Sequence, residues 1–275
     1  PIYHGLIGPG MADGAACGDI FAAPPPNVIL DATRAVNKGQ GVLFLYGNYA
    51  GDVMNFKIAA QLAAAEGIRV ETVLIWDDVA SAPPSDKEGR RGIAGLIPIV
   101  KLAGAAADKA KDLDELVSLV TLARDNTRSV GVALSPGSIP ATGMPTFELD
   151  EDSIGIGMGI HGEQGVGVEK MMTADALADK LVDLVLADDL PIGSGDEVLV
   201  LINSLGSTTM MECLIVLRRV KAILTEKDIK IYDVLLGPLV TCQEMAGLSI
   251  SFTKLDDTLK PLWDTPCSSL GYTKL

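Results

Sequence analysis

Only two histidines occur in the chain, and the second lies in Gly155-Ile-Gly-Met-Gly-Ile-His161-Gly-Glu163-Gln-Gly165. Glycines on both sides leave no side chains to keep a ligand from the imidazole. A neutral imidazole near pH 7 is a nucleophile as well as a proton acceptor, so this position suits bond formation. A lone loop histidine is more often an ordinary surface residue, and residue type alone does not decide between the two.

Asp52 is the next candidate, in Asn48-Tyr-Ala-Gly-Asp52 just past an apolar run. Ligands of open parallel sheets collect at the carboxyl ends of strands. An aspartate there can accept a proton from a substrate hydroxyl. It can equally cap a helix starting at Val53, and position leaves both readings open. Asp77 and Asp78 follow another apolar run, but a solvated loop pair is the simpler account. Arg90-Arg91 can hold a carboxylate or phosphate, with a surface role expected first. Asn203-Ser-Leu-Gly206-Ser-Thr-Thr209 opens a helix whose amides can bind an anion, although capping by Ser207 or Thr208 explains it as well.

Several chemistries lack their motif. Gly157-Met-Gly159-Ile-His161-Gly162 formally fits GxGxxG, but its glycines run on through Gly167 and a helix is expected only near Thr173, against a dinucleotide site. There is no P-loop, no kinase-type glycine loop and no GxSxG elbow. Cys17, Cys213, Cys242 and Cys267 form no CxxC pair, and with two histidines they give no zinc set. Reduced thiols and no metal are expected. The formal charge of −14 repels phosphate backbones and anionic membrane surfaces, so nucleic acid and membrane are not expected partners. The acidic balance fits a cytoplasmic protein.

These residues need elements to position them. Apolar β-rich runs alternate with alanine-rich helical patterns, which predicts an α/β fold of two domains, their mostly parallel or mixed sheets flanked by helices. Strands are expected at 41–46, 69–75, 129–134, 146–149, 154–160, 196–203, 229–235 and 248–254. Helices are expected at 53–66, 92–111, 113–126, 173–187 (capped by Thr173) and 208–225. The polar stretch 77–91 reads as an exposed loop. Residues 1–127 form the first domain and 128–275 the second, which carries His161.

The chain resembles the substrate-binding K subunit of dihydroxyacetone kinases. The resemblance runs nearly end to end, through Gly8-Pro-Gly-Met11, Gly18-Asp-Ile-Phe21, Asn48-Tyr-Ala-Gly-Asp-Val-Met-Asn-Phe56, Asp77-Asp-Val79, Gly89-Arg-Arg-Gly92, Gly159-Ile-His-Gly-Glu163, Asn203-Ser-Leu-Gly206 and Leu262-Trp-Asp264. It implies a phosphotransferase of glycerol metabolism. His161 would add through a ring nitrogen to a short-chain ketose, forming a covalent hemiaminal. Asp52 would act on the terminal hydroxyl as it attacks a phosphoryl group. It also implies a homodimer whose nucleotide, ATP or ADP with Mg, sits on a partner L-type subunit or fused domain, so this chain holds no cofactor. Three departures accompany it. The family's Gly-His-Glu-Pro histidine falls before Pro1, so an N-terminal part of the first domain is expected to be missing, with the C-terminal tail packing back on that domain; His4 is not the equivalent. Gly47 stands where the family has a lysine, opening room for a longer ketose such as erythrulose. Glu163-Gln164-Gly165 replaces Glu-Pro-Gly. The alternative is a non-catalytic paralogue that senses dihydroxyacetone through His161 and regulates transcription.

Overall fold

The computed structural model describes every residue except 1, 2, 4, 160 and 164. The readings of Pro1, His4 and Gln164, and the end of the strand expected at 154–160, therefore lie outside the described residues.

In chain order the elements are α1 (Pro26–Val36), β1 (Val42–Gly47), α2 (Ala50–Ala65), β2 (Val70–Ile75), a 3₁₀ turn (Pro84–Gly89), α3 (Leu96–Ala107), α4 (Leu113–Asp125), β3 (Thr127–Ser135), β4 (Ser153–Ile156), β5 (Gly167–Lys170), α5 (Ala174–Leu186), β6 (Glu197–Ser204), α6 (Met210–Glu226), β7 (Lys230–Gly237), β8 (Ala246–Leu255), α7 (Leu259–Trp263), β9 (Cys267–Ser268) and β10 (Thr273–Lys274). The sequence divides the chain near residue 127. By contacts, residues 76–97 cluster with 126–256, while 2–75, 98–125 and 257–275 make up the other unit.

The unit that carries His161 is built on a six-stranded mixed sheet ordered β5-β4-β3-β8-β6-β7. Only β6 and β7 run parallel; the other neighbours are antiparallel. Alternation along the central strands sorts their side chains by face. Val130, Val132, Leu248, Ile250 and Phe252 join the core with Leu181 and Val182 of α5 and Val216 and Val220 of α6. Thr173 caps α5, its side chain accepting from Ala176 N. α6 is capped by Thr209 in a reciprocal pair with Glu212, not by Ser207 or Thr208 as expected.

The opposite face of the same strands carries Thr127, Ser129, Ser251 and Thr253, all buried. What lies on it is the stretch read as an exposed loop. Asp77 and Asp78 are 0% and 1% exposed and Arg90 is 0%. The chain here bridges β3, with Ser129 N donating to Asp77 O at 2.7 Å and Val79 N to Ser129 O at 2.9 Å. The Asp77 carboxylate accepts from Ile93 N at 2.8 Å and Gly95 N at 2.9 Å, just ahead of α3. Arg90 takes Asp188 in a two-pronged pair at 2.6 and 2.9 Å and donates to Ala82 O at 2.7 Å. Arg128 joins the same aspartate while stacking over Trp76. The ends of the stretch hold a buried ion-pair network, while Pro83, Pro84, Ser85, Asp86, Glu88 and Gly89 are exposed as expected; composition does not distinguish the two.

The other unit pairs β1 and β2 in parallel. Ile29 of α1, Phe44 and Tyr46 of β1 and Ala59 of α2 form its core. The strand expected at 146–149 is absent; that region makes a single bridge, Ser138 to Pro145.

Asp77 makes the clearest test of this architecture. Asp77→Ala orphans two buried backbone donors, each costing about 1–3 kcal/mol. The expected loss is about 2–6 kcal/mol, read as a lower urea midpoint. An unchanged midpoint contradicts the role given to Asp77.

Candidate functional site

His161 sits near the tip of a hairpin loop. β4 and β5 pair with Ile156 opposite Gly167, so residues 157–166 form the connection. The base of the loop is pinned by Gly157 N to Gly131 O at 2.7 Å and Val166 N to Ile156 O at 2.9 Å. Gly157 has φ +69°, and a Cβ there would lie 2.2 Å from Ala80 Cβ, so both conformation and space require glycine. A strand follows this loop, not the helix a dinucleotide fingerprint needs. The GxGxxG match is therefore accidental.

Within the loop Glu163 holds His161 twice. Its Oε2 accepts from the His161 backbone N–H at 3.0 Å, and its Oε1 lies 2.9 Å from the ring Nδ1. Burial would raise the Glu163 carboxyl, but the hydrogen bond from the His161 ring and the ring's charge outweigh it and bring the group to about 2. A carboxylate at Nδ1 favours the ring form with the proton on that atom, which places the neutral ring's lone pair on Nε2. The ring is 36% exposed and open to a ligand from solvent.

Behind the loop stands a second ion pair. Arg91 Nη2 donates to Asp78 Oδ2 and to Gly157 O, both at 2.8 Å. Burial pushes the Asp78 carboxyl up to about 6, against the opposing pull of Arg91. The sequence reading placed Asp78 and Arg91 at the surface. They are instead the floor of the His161 loop, and the motifs Asp77-Asp-Val79 and Gly89-Arg-Arg-Gly92 were the sequence signals for them.

Asp52 belongs to the other unit. It is the third residue of α2, whose N-cap is Tyr49 without a side-chain capping bond, so the capping alternative does not hold. α2 begins three residues earlier than expected. Asp52 is half-buried and, with Tyr46, lines a cavity of about 520 Å³ formed by this unit alone. Burial and the charge of Asp52 together raise the Tyr46 phenol to about 12, against a hydrogen bond with Thr72. Tyr46 stacks on Phe56 with ring centroids 4.1 Å apart, which fixes α2 on β1.

Asn203 is structural: its side chain accepts from Leu239 N and Val240 N and donates to Val240 O. Among the described residues no group of three or more His, Cys, Asp or Glu is placed to hold a metal ion. No helix among them is long and apolar enough to cross a membrane.

A two-unit α/β chain with a histidine on a glycine-rich hairpin and an aspartate at a strand-to-helix turn defines a recognisable class. The family model described as the Dak1 domain matches residues 1–271, and the chain belongs to that family. It is 44% identical over 269 residues to the PTS-dependent dihydroxyacetone kinase 2, dihydroxyacetone-binding subunit DhaK, of Listeria innocua, covering 98% of this chain and 80% of that one. It is 38% identical to the L-erythrulose 1-kinase of Mycolicibacterium smegmatis, across 100% of this chain and 48% of the relative. The solved dihydroxyacetone kinase operon co-activator Dha-DhaQ superposes with a TM-score of 0.88 at 30% identity, covering 95% of this chain and 81% of that one.

The Glu163 pair gives a pH prediction. A carboxyl lowered from 4.5 to about 2 on folding contributes stability that is complete above pH 4.5 and lost as pH falls toward 2. Glu163→Gln removes that contribution. Between pH 4.5 and 2, denaturant midpoints of the native protein should therefore fall more than those of the variant. Parallel curves would show that the pair does not form.

Proposed function

We propose that this chain is the ketose-binding subunit of a dihydroxyacetone-type kinase, with His161 as its nucleophile. The observation that carries the reading is the 2.9 Å contact of Glu163 with the ring Nδ1. The Nε2 lone pair adds to the carbonyl carbon of dihydroxyacetone or a close relative such as erythrulose. The C–N bond forms as the carbonyl π pair moves to oxygen, which takes up a proton. The ring gives up its Nδ1 proton and the product is a neutral hemiaminal. While the ring carries positive charge, the Glu163 carboxylate stabilises it. A polyol has no carbonyl to add to, so the bond itself selects ketone over glycerol. It also fixes the terminal hydroxyl for attack, an orientation gain of several kcal/mol.

Asp52 then accepts the proton of that hydroxyl as it attacks the phosphoryl group. The nucleotide, ATP or ADP with Mg, sits on an L-type partner subunit or domain, in keeping with the absence of a phosphate loop from the sequence. The chain acts as a homodimer in the cytoplasm. Gly47, the last residue of β1, stands where the family pattern has lysine and favours a longer ketose. The likeness to a co-activator supports a second reading, in which the same ketose capture serves transcriptional control and no phosphoryl transfer follows.

Phosphorylation assays with candidate partner subunits and several ketoses separate the two. Turnover is expected; tight ketose binding with no turnover under any partner would leave the sensor. His161→Ala should weaken ketose affinity at least about tenfold, or 1.4 kcal/mol. Unchanged affinity in calorimetry would eliminate the tether. Asp52→Asn should lower kcat by about 10²–10⁴-fold with little change in binding. Equal losses in kcat and affinity would assign Asp52 to structure.

A further inference from the structure

We propose that Arg91 is the positioning residue of the nucleophile loop, holding the Gly157 carbonyl to the buried Asp78 so that Glu163 meets the His161 ring. The inference rests on the reading of His161 as nucleophile and adds the residue that places it.

Arg91 is fixed before it touches the loop. Its backbone N–H donates to Ser81 Oγ at 3.0 Å, and its carbonyl accepts from Asp78 N at 3.1 Å. Its Nε and Nη2 both donate to Asp78 Oδ2, at 3.1 and 2.8 Å. Asp78 is anchored in turn, its Oδ1 accepting from Ala80 N at 3.1 Å. The guanidinium is thus a rigid arm rooted in the 78–81 turn, and that turn bridges β3. Its outer edge meets Gly157 O at 2.8 Å, while the Gly157 N–H is bound to Gly131 O at 2.7 Å. Both peptide groups around the pivot glycine are therefore held, one by β3 and one by Arg91.

Gly159 carries the effect to the site. A Cβ on it would lie 2.0 Å from Glu163 Oε2 and 2.6 Å from Arg91 Nη1. Arg91 and Glu163 therefore close over the same glycine, and the carboxylate that orients His161 rests beside the guanidinium. A planar fork serving two acceptors at a fixed angle is an arginine property that lysine does not reproduce. The adjacent Arg90 points elsewhere, to Asp188 and Ala82 O. The two neighbouring arginines divide the work: Arg90 ties the 3₁₀ segment to the end of α5, and Arg91 serves the loop.

The test uses Arg91→Lys and the double variant D78N/R91Q, which leaves no unpaired buried charge if a single substitution fails to fold. Nitrogen-15 NMR of the His161 ring reports which nitrogen bears the proton, and kinetics with the partner subunit separate KM from kcat. Both variants should lose the fixed Nδ1–H form. Both should raise the ketose KM, by up to about a hundredfold for a misplacement of about 1 Å, with much of kcat recovered at saturation. Arg90→Gln should lower the unfolding midpoint and leave the ring signals native. Native ring signals in the Arg91 variants, full rescue by lysine, or an equal disturbance by Arg90→Gln would each overturn the proposal. The ring signals decide it even if His161→Ala retains ketose affinity, an outcome that would remove the covalent tether alone.

Discussion

One carboxylate, two residues along the chain, decides what the imidazole of His161 can do. A free imidazole exchanges its proton between two nitrogens and turns about its side-chain bonds. Glu163 binds both the backbone N–H and the ring nitrogen of the same residue, so one group holds both the backbone and the side chain of His161. The arrangement also explains the composition of the loop. Gly159 must lack a side chain because the carboxylate occupies the space a Cβ would take. The glycines here supply close approach as much as flexibility.

The unit behind the loop shows how much buried charge such placement takes. Asp77, Asp78, Arg90 and Arg128 are withdrawn from water beneath one face of the sheet. Buried pairs of this kind add little net stability compared with apolar packing, yet removing one partner costs about 3–5 kcal/mol. Their use is directional. Asp77 fixes the approach to α3, the Asp188 cluster fixes the 3₁₀ segment, and Asp78 fixes the guanidinium beneath Gly157. An apolar core would fill the same space without specifying where the hairpin loop begins.

Strongly patterned elements were legible in the sequence. α5 repeats Leu177, Leu181 and Val185 with Ala178 and Val182, and Thr173 caps it as expected. The central strands alternate as their burial requires. α1 escaped because it starts immediately after prolines and is short, although proline is tolerated in a first helical turn. β5 escaped because its residues are mostly exposed and carry no apolar run. The burial of Asp77, Asp78 and Arg90 was not legible at all. Aspartate and arginine read the same whether they meet water or each other, and the pairing of residue 90 with residue 188 has no local signature. His161 and Asp52 stood out by residue type and setting, but their roles came from family resemblance. The part played by Glu163 became visible only with the loop folded.

The placement of Asp52 bears most on whether the chain is a catalyst or a sensor. The proposed ketose capture by His161 would serve either purpose, so the hairpin loop does not separate them. Asp52 stands at the start of α2 without capping it, and a carboxylate in a first helical turn is favoured as the anion. Its charge is felt by the Tyr46 phenol, and both residues face one cavity. A sensor has no need of an anionic proton acceptor at the end of a strand, and the contact of α2 with β1 is carried by Phe56 on Tyr46 and Phe44. The proposed phosphoryl transfer calls for an anionic carboxylate on such a cavity, whereas ketose capture alone does not.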